Sequence, residues 1–333
     1  MMKKQIKSKL FFFPSEPMTG YQNPYCNYYK EALLKYYKVL DMDRGSKFKR
    51  MFTLPFYSLK CDIIIFNWLE SVPFFAFGKV QFYIDMIALF ILRLRKVKVL
   101  FMFHDLVSHF GDNWMSRYLM RWLFKYSDVI ISHSKEAAQI ALKKSKSPSF
   151  FISHPIKKLS VSNYSVDREV DVFIWGAVYN YKGVYEFISQ PSVQNSKLKI
   201  LIMGIAKDEG LSEKIRSCCN EHIYFDERRA DFDEIAAYCK ASRYVLFPYI
   251  GESVSSSGAL IDTLVFGGTP VGPNRGSFQD LASEGMCFTY NNYDELLDIL
   301  LSTSTIDNCQ REVFINEHSW EKIADFIHDK MGF

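Results

Sequence analysis

The sequence predicts an α/β protein made of two Rossmann-like domains facing across a cleft. Three observations lead there. Short β-branched or aromatic runs alternate with helical patterns along the whole chain. The alternation falls into two series, separated by a polar, Ser- and Lys-containing stretch near 155–167. A chain of 333 residues has room for two such domains, each with its own core.

In the first series, strands are expected at 10–13, 38–40, 62–66, 97–103, 129–132 and 150–153. Helical patterns lie between them at 25–37, 77–94, 113–126 and 134–144. In the second, strands are expected at 171–175, 198–203, 223–225, 244–247, 270–272 and 287–289. Helices there are expected at 183–190, 209–219, 231–241, 256–266, 276–283 and 293–302. Short apolar strands separated by helices belong to parallel sheets covered on both faces. A last helix starts at Ser319, whose hydroxyl suits an N-cap, with Trp320 and Glu321 in the first turn. The expected domains are 1–160 and 161–315, followed by a terminal helix in 316–333.

An apolar content of 48% and an aromatic content of 16% exclude a disordered chain. No apolar run is long enough to span a bilayer; Met86–Leu92 is bracketed by Asp85 and Arg93. The basic start (Lys3, Lys4, Lys7, Lys9) meets only the short apolar run Leu10–Phe13, which reads as a tail entering the first strand rather than a signal peptide. Seven cysteines form no C-x-x-C pair, which suggests reduced thiols and a cytoplasmic location.

The net charge of +4 conceals an asymmetry. Residues 1–160 carry 26 Lys and Arg against 11 Asp and Glu, a net +15; residues 161–333 carry −11. A half so basic suits an anionic partner. Nucleic acid is not expected, since no zinc-finger, RNP-type or helix-turn-helix signature is present. The cytoplasmic membrane leaflet is the other candidate, making the protein peripheral at the inner face. Basic groups sit at Lys3–Lys9, Arg44–Arg50 and Arg93–Lys98, with Phe48, Phe52 and Tyr57 as nearby surface aromatics. A merely soluble basic domain accounts for the same charge.

Two segments carry chemistry. Val245-Leu246-Phe247-Pro248-Tyr249 is a strand that leads through a Gly/Ser-rich loop into a helix at Ser256-Ser257-Gly258-Ala259-Leu260-Ile261-Asp262. Such a turn aims unpaired N–H groups and the positive end of a helix dipole at one point, which suits a phosphate. Ser257 and Gly258 allow a diphosphate close to the main chain, and Asp262, one turn in, can take ribose hydroxyls. An ordinary βα turn with a serine N-cap reads equally well from this segment alone. The second is Asp171–Trp175, followed by Gly176-Ala177-Val178-Tyr179-Asn180-Tyr181-Lys182-Gly183. Lys182 is a compact cation fit to neutralise a pyrophosphate, or a solvated surface lysine. Both segments lie at the C-terminal ends of expected strands, the edge where open α/β sheets bind ligands.

In the first half, His104 and Asp105 follow a buried strand. His104 is a base, a sugar-hydroxyl partner or a structural histidine; Asp105 is a general base or an Asx-turn. Asn67-Trp68 and Tyr21-Gln22-Asn23 offer an acceptor platform of rings that stack on sugars, or core packing. His109, His133 and His154 show no metal spacing and are expected to be structural.

Taken in order, G-A-V-Y-N-Y-K-G, F-P-Y, S-S-S-G-A-L and G-T-P-V resemble the GT-B glycosyltransferases of the family 4-like group that builds bacterial surface polysaccharides. Phe101-Met102-Phe103-His104-Asp105, the stretch Ser127–Ser134 and Ser319-Trp320-Glu321 extend the likeness to roughly half the chain. The resemblance implies that the last helix crosses back to the N-terminal domain. It implies that Lys182 contacts the donor diphosphate and that Ser256, Ser257 and Gly258 hold phosphate oxygens. His104 would face the transferred sugar, and Gly20 would line the cleft opposite. There are departures. Many relatives have arginine where this chain has Ala177, so Lys182 would act alone or with Arg228 or Arg229. Many carry two glutamates eight residues apart, whereas Glu252 and Asp262 are ten apart, which leaves Glu252's role at the donor sugar and the stereochemical outcome open.

The implied activity moves a hexose from a GDP- or UDP-linked donor to a lipid-linked or oligosaccharide acceptor. Its oxocarbenium-like transition state needs fixed positive charge at the leaving diphosphate. A lysine and a helix terminus supply that charge, so neither a metal nor a cofactor is expected. A sugar-nucleotide epimerase of the same architecture and an inactive glycosyltransferase-like scaffold are the competing readings.

Overall fold

Runs such as Ile63-Ile64-Ile65-Phe66 carry apolar side chains on both faces of a strand, so they must be covered from two sides. The computed structural model describes residues 7–14, 25–40, 52–104, 111–158, 164–166, 168–250 and 257–332. The chain divides into two units, Met1–Pro155 with Ser319–Phe333, and Ile156–His318.

The first unit holds β1 (Lys9–Phe13), β2 (Lys38–Leu40), β3 (Ile63–Asn67), β4 (Lys98–Phe103), β5 (Val129–Ser132) and β6 (Ser149–Phe151). They pair in the order β2-β1-β3-β4-β5-β6, every pair parallel. Its helices include α1 (Tyr25–Leu33), α2 (Thr53–Ser58), α3 (Gly78–Leu94), α4 (Trp114–Tyr126) and α5 (Lys135–Lys144). In the second unit β7 (Val172–Trp175), β8 (Ile200–Met203), β9 (Ile223–Asp226), β10 (Tyr244–Leu246), β11 (Pro270–Pro273) and β12 (Phe288–Tyr290) follow the order β12-β11-β10-β7-β8-β9, again all parallel. Helices α6 (Val184–Ile188), α7 (Pro191–Gln194), α8 (Leu211–Ser217), α9 (Phe232–Ala241), α10 (Gly258–Val265), α11 (Gly276–Ser283), α12 (Tyr293–Leu301) and α13 (Asn308–Glu317) surround it.

The last helix, α14 (Trp320–Met331), belongs to the first unit. Ser319 caps it by accepting from the Lys322 amide. Its buried face (Trp320, Ile323, Ala324, Ile327, Met331) packs on Tyr25, Cys26, Tyr29 and Leu33 of α1. Each such large side chain stabilises the fold by roughly 1.5–3 kcal/mol. Lys98 donates to the Met331 and Gly332 carbonyls, placing a cation at the negative end of the helix dipole.

Both sheets reverse strand order at one point. In the first, the reversal lies between β1 and β3; in the second, between β7 and β10. Crossovers leave such a point towards opposite faces, which opens a crevice at the C-terminal strand ends.

Helices α2, α7 and α13 do not appear among the expected elements. Helix α2 contains Pro55, and α13 buries only Arg311, Phe314 and Ile315, so neither shows a clear apolar stripe. Tyr57, expected on the surface, instead stacks on Phe11 at 4.7 Å. Among the described residues no helix is long and apolar enough to cross a membrane.

Asp85 is fully buried on the core side of α3, and desolvation pushes its carboxyl up to about 8, against a smaller opposing pull from Gln81. The folded state therefore keeps a proton that the unfolded chain releases near 3.8. Stability from this group is fully present below that value and is lost as pH rises towards about 8. Asp85→Asn should unfold at higher urea than the wild type, with a larger gain at pH 8 than at pH 5.

Candidate functional site

In the second unit, the candidate site lies at the reversal between β7 and β10. Gly176 follows β7 at φ +98°, and Gly204 follows β8 so closely that a Cβ there would sit 1.9 Å from the Gly176 carbonyl oxygen. Two backbones meet where only glycine fits. Past Gly176 the chain turns through Asn180–Lys182 to Gly183, at φ +64°. A Cβ on Gly183 would lie 2.1 Å from the Pro248 carbonyl oxygen, and the Ile250 amide donates to the Tyr181 carbonyl at 3.0 Å. The loop after β7 is thus locked to the loop after β10.

This lock sets Lys182. Its Nζ lies 3.9 Å from the position a Gly176 Cβ would take and 5.7 Å from the centre of the Tyr249 ring. Among the described residues no carboxylate pairs with it, and desolvation pulls it down to about 8. Tyr249 is buried; its hydroxyl lies 3.4 Å from Ser257 Oγ, and burial pushes it up to about 12. Ser257 caps α10, its side chain accepting from the Leu260 amide. Among the described residues, a Cβ on Gly258 would meet nothing within 4 Å. Asp262, one turn on, is pushed up to about 7 by desolvation.

Arg228 sits beyond the end of β9, two strands from β7, and its guanidinium is tied to Asp226 and Glu234. Arg275, not among the residues expected from the sequence, follows β11 and donates to the Tyr249 carbonyl at 2.7 Å. Its signal was the same strand–loop–helix grammar, with Gly276-Ser277 opening α11.

In the first unit, His104 follows β4 and Asn67 ends β3, at the reversal edge. His104 Nε2 lies 3.0 Å from Asn67 Oδ1, whose own Nδ2 donates to the Phe13 carbonyl at 3.3 Å. The Asn67 oxygen can only accept, so His104 carries its proton on Nε2. Trp68, at φ +51°, stacks on the His104 ring at 4.7 Å. A left-handed tryptophan is costly backbone, held here by its surroundings.

Tyr25 joins these rings to two further histidines. Its ring meets His104, His133, His154 and Trp320 at 5.2 to 5.8 Å between centroids. His133 Nδ1 donates to the Ile152 carbonyl at 2.8 Å, so its Nε2 accepts from the Tyr25 hydroxyl at 2.7 Å. Burial draws His133 down to about 3, reinforced by His154, which burial itself draws to about 4. Both rings are therefore neutral at pH 7. Nothing in the sequence signalled Tyr25, which reads as one more aromatic of α1. Asp105, Glu252, Ser256, Gly20, Tyr21 and His109 lie outside the described residues. Among the described residues, no three His, Cys, Asp or Glu side chains are grouped to hold a metal ion.

No family model matches the chain, and no curated protein matches it by sequence. Solved structures do match in three dimensions. Anabaena HepE in complex with UDP-glucose is 14% identical, covering 97% of this chain and 99% of its own, with a TM-score of 0.68. Sucrose-phosphate synthase from Thermosynechococcus elongatus is likewise 14% identical, covering 97% and 98%, with a TM-score of 0.69. The chain has the GT-B fold. AviGT4, a glycosyltransferase involved in avilamycin A biosynthesis, agrees at a TM-score of 0.62 over 97% of both chains and 10% identity. The two all-parallel six-stranded sheets are the Rossmann-like halves of that fold.

Gly183→Ala puts a methyl group against the Pro248 carbonyl at a left-handed position. We expect it to cost about 2–4 kcal/mol of stability in urea unfolding. A loss within about 0.5 kcal/mol, the range of an ordinary surface change, would show that the two loops are not locked.

Proposed function

We propose that the protein is a nucleotide-sugar-dependent glycosyltransferase that moves a hexose from a UDP- or GDP-linked donor to a lipid-linked oligosaccharide in surface-polysaccharide synthesis. The carrying observation is Lys182, a desolvated cation without a carboxylate partner among the described residues, beside two glycines at the strand-order reversal. A protein would rarely hold such a charge there unless an anion arrives to compensate it. HepE, of the same fold, is in complex with UDP-glucose, which supports a nucleotide-sugar donor.

In this reading the diphosphate lies against Lys182 and the start of α10. The lysine and the helix dipole neutralise charge as the glycosidic bond to phosphate breaks. Gly176 and Gly258 leave the space the phosphates need, and Ser257 and Ser256 bring hydroxyl and amide donors. Asp262 takes the ribose hydroxyls, and its raised pKa lessens its repulsion of the diphosphate. Arg228 contributes by holding its own loop through Asp226 and Glu234, and Glu252 is the candidate acid for the donor sugar. Positive charge from the protein makes a metal unnecessary, so activity should persist in chelator.

His104 faces the transferred sugar, its ring fixed by Asn67 and Trp68. Asp105 acts as base if the reaction inverts, and Gly20, Tyr21 and Trp68 receive the acceptor; Asn67, expected among them, is fully buried with both amide atoms bonded, so it positions His104 instead. The basic first half brings the enzyme to the anionic inner leaflet, where a lipid-linked acceptor resides.

Calorimetry with UDP- and GDP-sugars tests the reading. Donor binding should weaken about 10- to 100-fold in Lys182→Ala, the worth of a charge-assisted contact. Wild-type affinity should be highest below about pH 8, where the lysine is protonated before the donor arrives, and should fall above it. The alanine variant should lose the part of that fall centred near pH 8 and keep only what Asp262 contributes as it ionises near 7. Absence of any nucleotide-sugar affinity would point to an inactive scaffold, and turnover of donor without acceptor to an epimerase.

A further inference from the structure

Helix α3 shows two apolar faces where an ordinary surface helix shows one. Phe82, Ala88, Leu89 and Leu92 pack into the core. On the opposite side Phe77, Val80, Tyr83, Ile87, Phe90 and Leu94 are each more than half exposed. Their spacing of three and four residues is the helical repeat, so they form one stripe down the helix, about 25 Å long. The stripe widens on both flanks. Phe56 and Leu59, on and just after α2, are exposed, as are Trp114 and Tyr118 of α4, whose rings meet Phe82 at 5.3 and 6.0 Å. A contiguous apolar patch of this kind marks an interaction surface.

The exposed charges on these three helices have one sign, and the nearby exposed Asp112, just before α4, is paired with Arg117. None of α2, α3 and α4 carries an exposed acid; the one carboxylate among them, Asp85, is buried. Lys79 and Arg93 lie beside the stripe on α3, Arg121 and Lys125 on α4, and Lys60 just beyond α2, all exposed. Arg93 rests on the Tyr126 ring at 4.5 Å and Lys60 on Phe56 at 3.6 Å, so their stems cover ring faces. A second copy laid on this face would set cations against cations. An anionic lipid surface satisfies both features: headgroups take the cations, and the acyl boundary takes Ile87 and Phe90. Tyr83, Trp114 and Tyr118, each with an apolar ring and a polar tip, suit the depth between.

We infer that the exposed face of α3, flanked by α2 and α4, is the docking surface by which this chain lies on an anionic lipid bilayer. The inference gives the membrane association proposed above its residues, and rests on that reading only for its biological purpose.

The test is co-sedimentation with phosphatidylcholine vesicles, with and without added phosphatidylglycerol. The wild type should pellet with the phosphatidylglycerol vesicles, and less so as salt is raised. Ile87→Glu with Phe90→Glu should lower the bound fraction about tenfold or more, since a charge on the inserted face must leave the acyl boundary. Lys79→Glu with Arg93→Glu should lower it at low salt and flatten the salt dependence. These positions are exposed, so melting temperatures should match the wild type.

A wild type that stays in the supernatant with both vesicle types would overturn the inference. So would an Ile87→Glu/Phe90→Glu variant that pellets like the wild type, or a lipid-free dimer that these substitutions split. Calorimetry with UDP- and GDP-sugars on the same preparations keeps the two proposals apart. Donor binding that persists without vesicle binding sinks the docking surface and leaves the glycosyltransferase reading standing.

Discussion

All strands of each sheet run in one direction, and this constraint places everything else. A parallel sheet needs a crossover between successive strands, so helices cover both faces and every strand must be apolar on both sides. It also gathers all the C-terminal strand ends on one edge. Where the order of strands reverses, the crossovers diverge and no helix fills the gap. In the second unit that gap is between β7 and β10, and Gly176, Lys182, Tyr249 and Ser257 all come from those two strands' loops. In the first it is between β1 and β3, where Asn67 stands with His104 of the next strand beside it.

The two edges differ in electrostatic character. Around Lys182 and Asp262 the groups are ionisable and displaced from their ordinary values by desolvation, the cation downwards and the carboxyl upwards. Such a site responds to a charged ligand. Around His104 the groups are mutually satisfied: amide to ring, hydroxyl to ring, ring upon ring. Burial holds His133 and His154 neutral, so this edge offers shape and hydrogen bonding rather than charge. In the glycosyltransferase reading proposed above, the first edge would suit a charged donor and the second an uncharged acceptor.

The strands were legible because burial on two faces leaves a simple mark: β3 reads Ile63-Ile64-Ile65-Phe66, and few other structures tolerate such a run. Helix α13 was hidden because Arg311 occupies a core-facing position, donating to the Gly268 carbonyl where a leucine would have declared the pattern. Lys182 and Ser257 could be singled out because glycine or serine beside a strand end is a local signal. Tyr25 could not, for its importance comes from four rings contributed by the loops after β4, β5 and β6 and by α14, more than seventy residues away in each case. Arg228 shows the reverse: a plausible cation by position, committed by its neighbours to Asp226 and Glu234.

The return of α14 to the first unit has a consequence for how the chain acquires its shape. Tyr25 and Tyr29 are synthesised nearly 300 residues ahead of Trp320, which closes over both rings. Synthesis proceeds at about 5–20 residues per second, so the amino-terminal half stands with an uncovered aromatic face for tens of seconds. The intervening unit, Ile156–His318, is continuous and can fold during that wait. The half that begins first is therefore completed last.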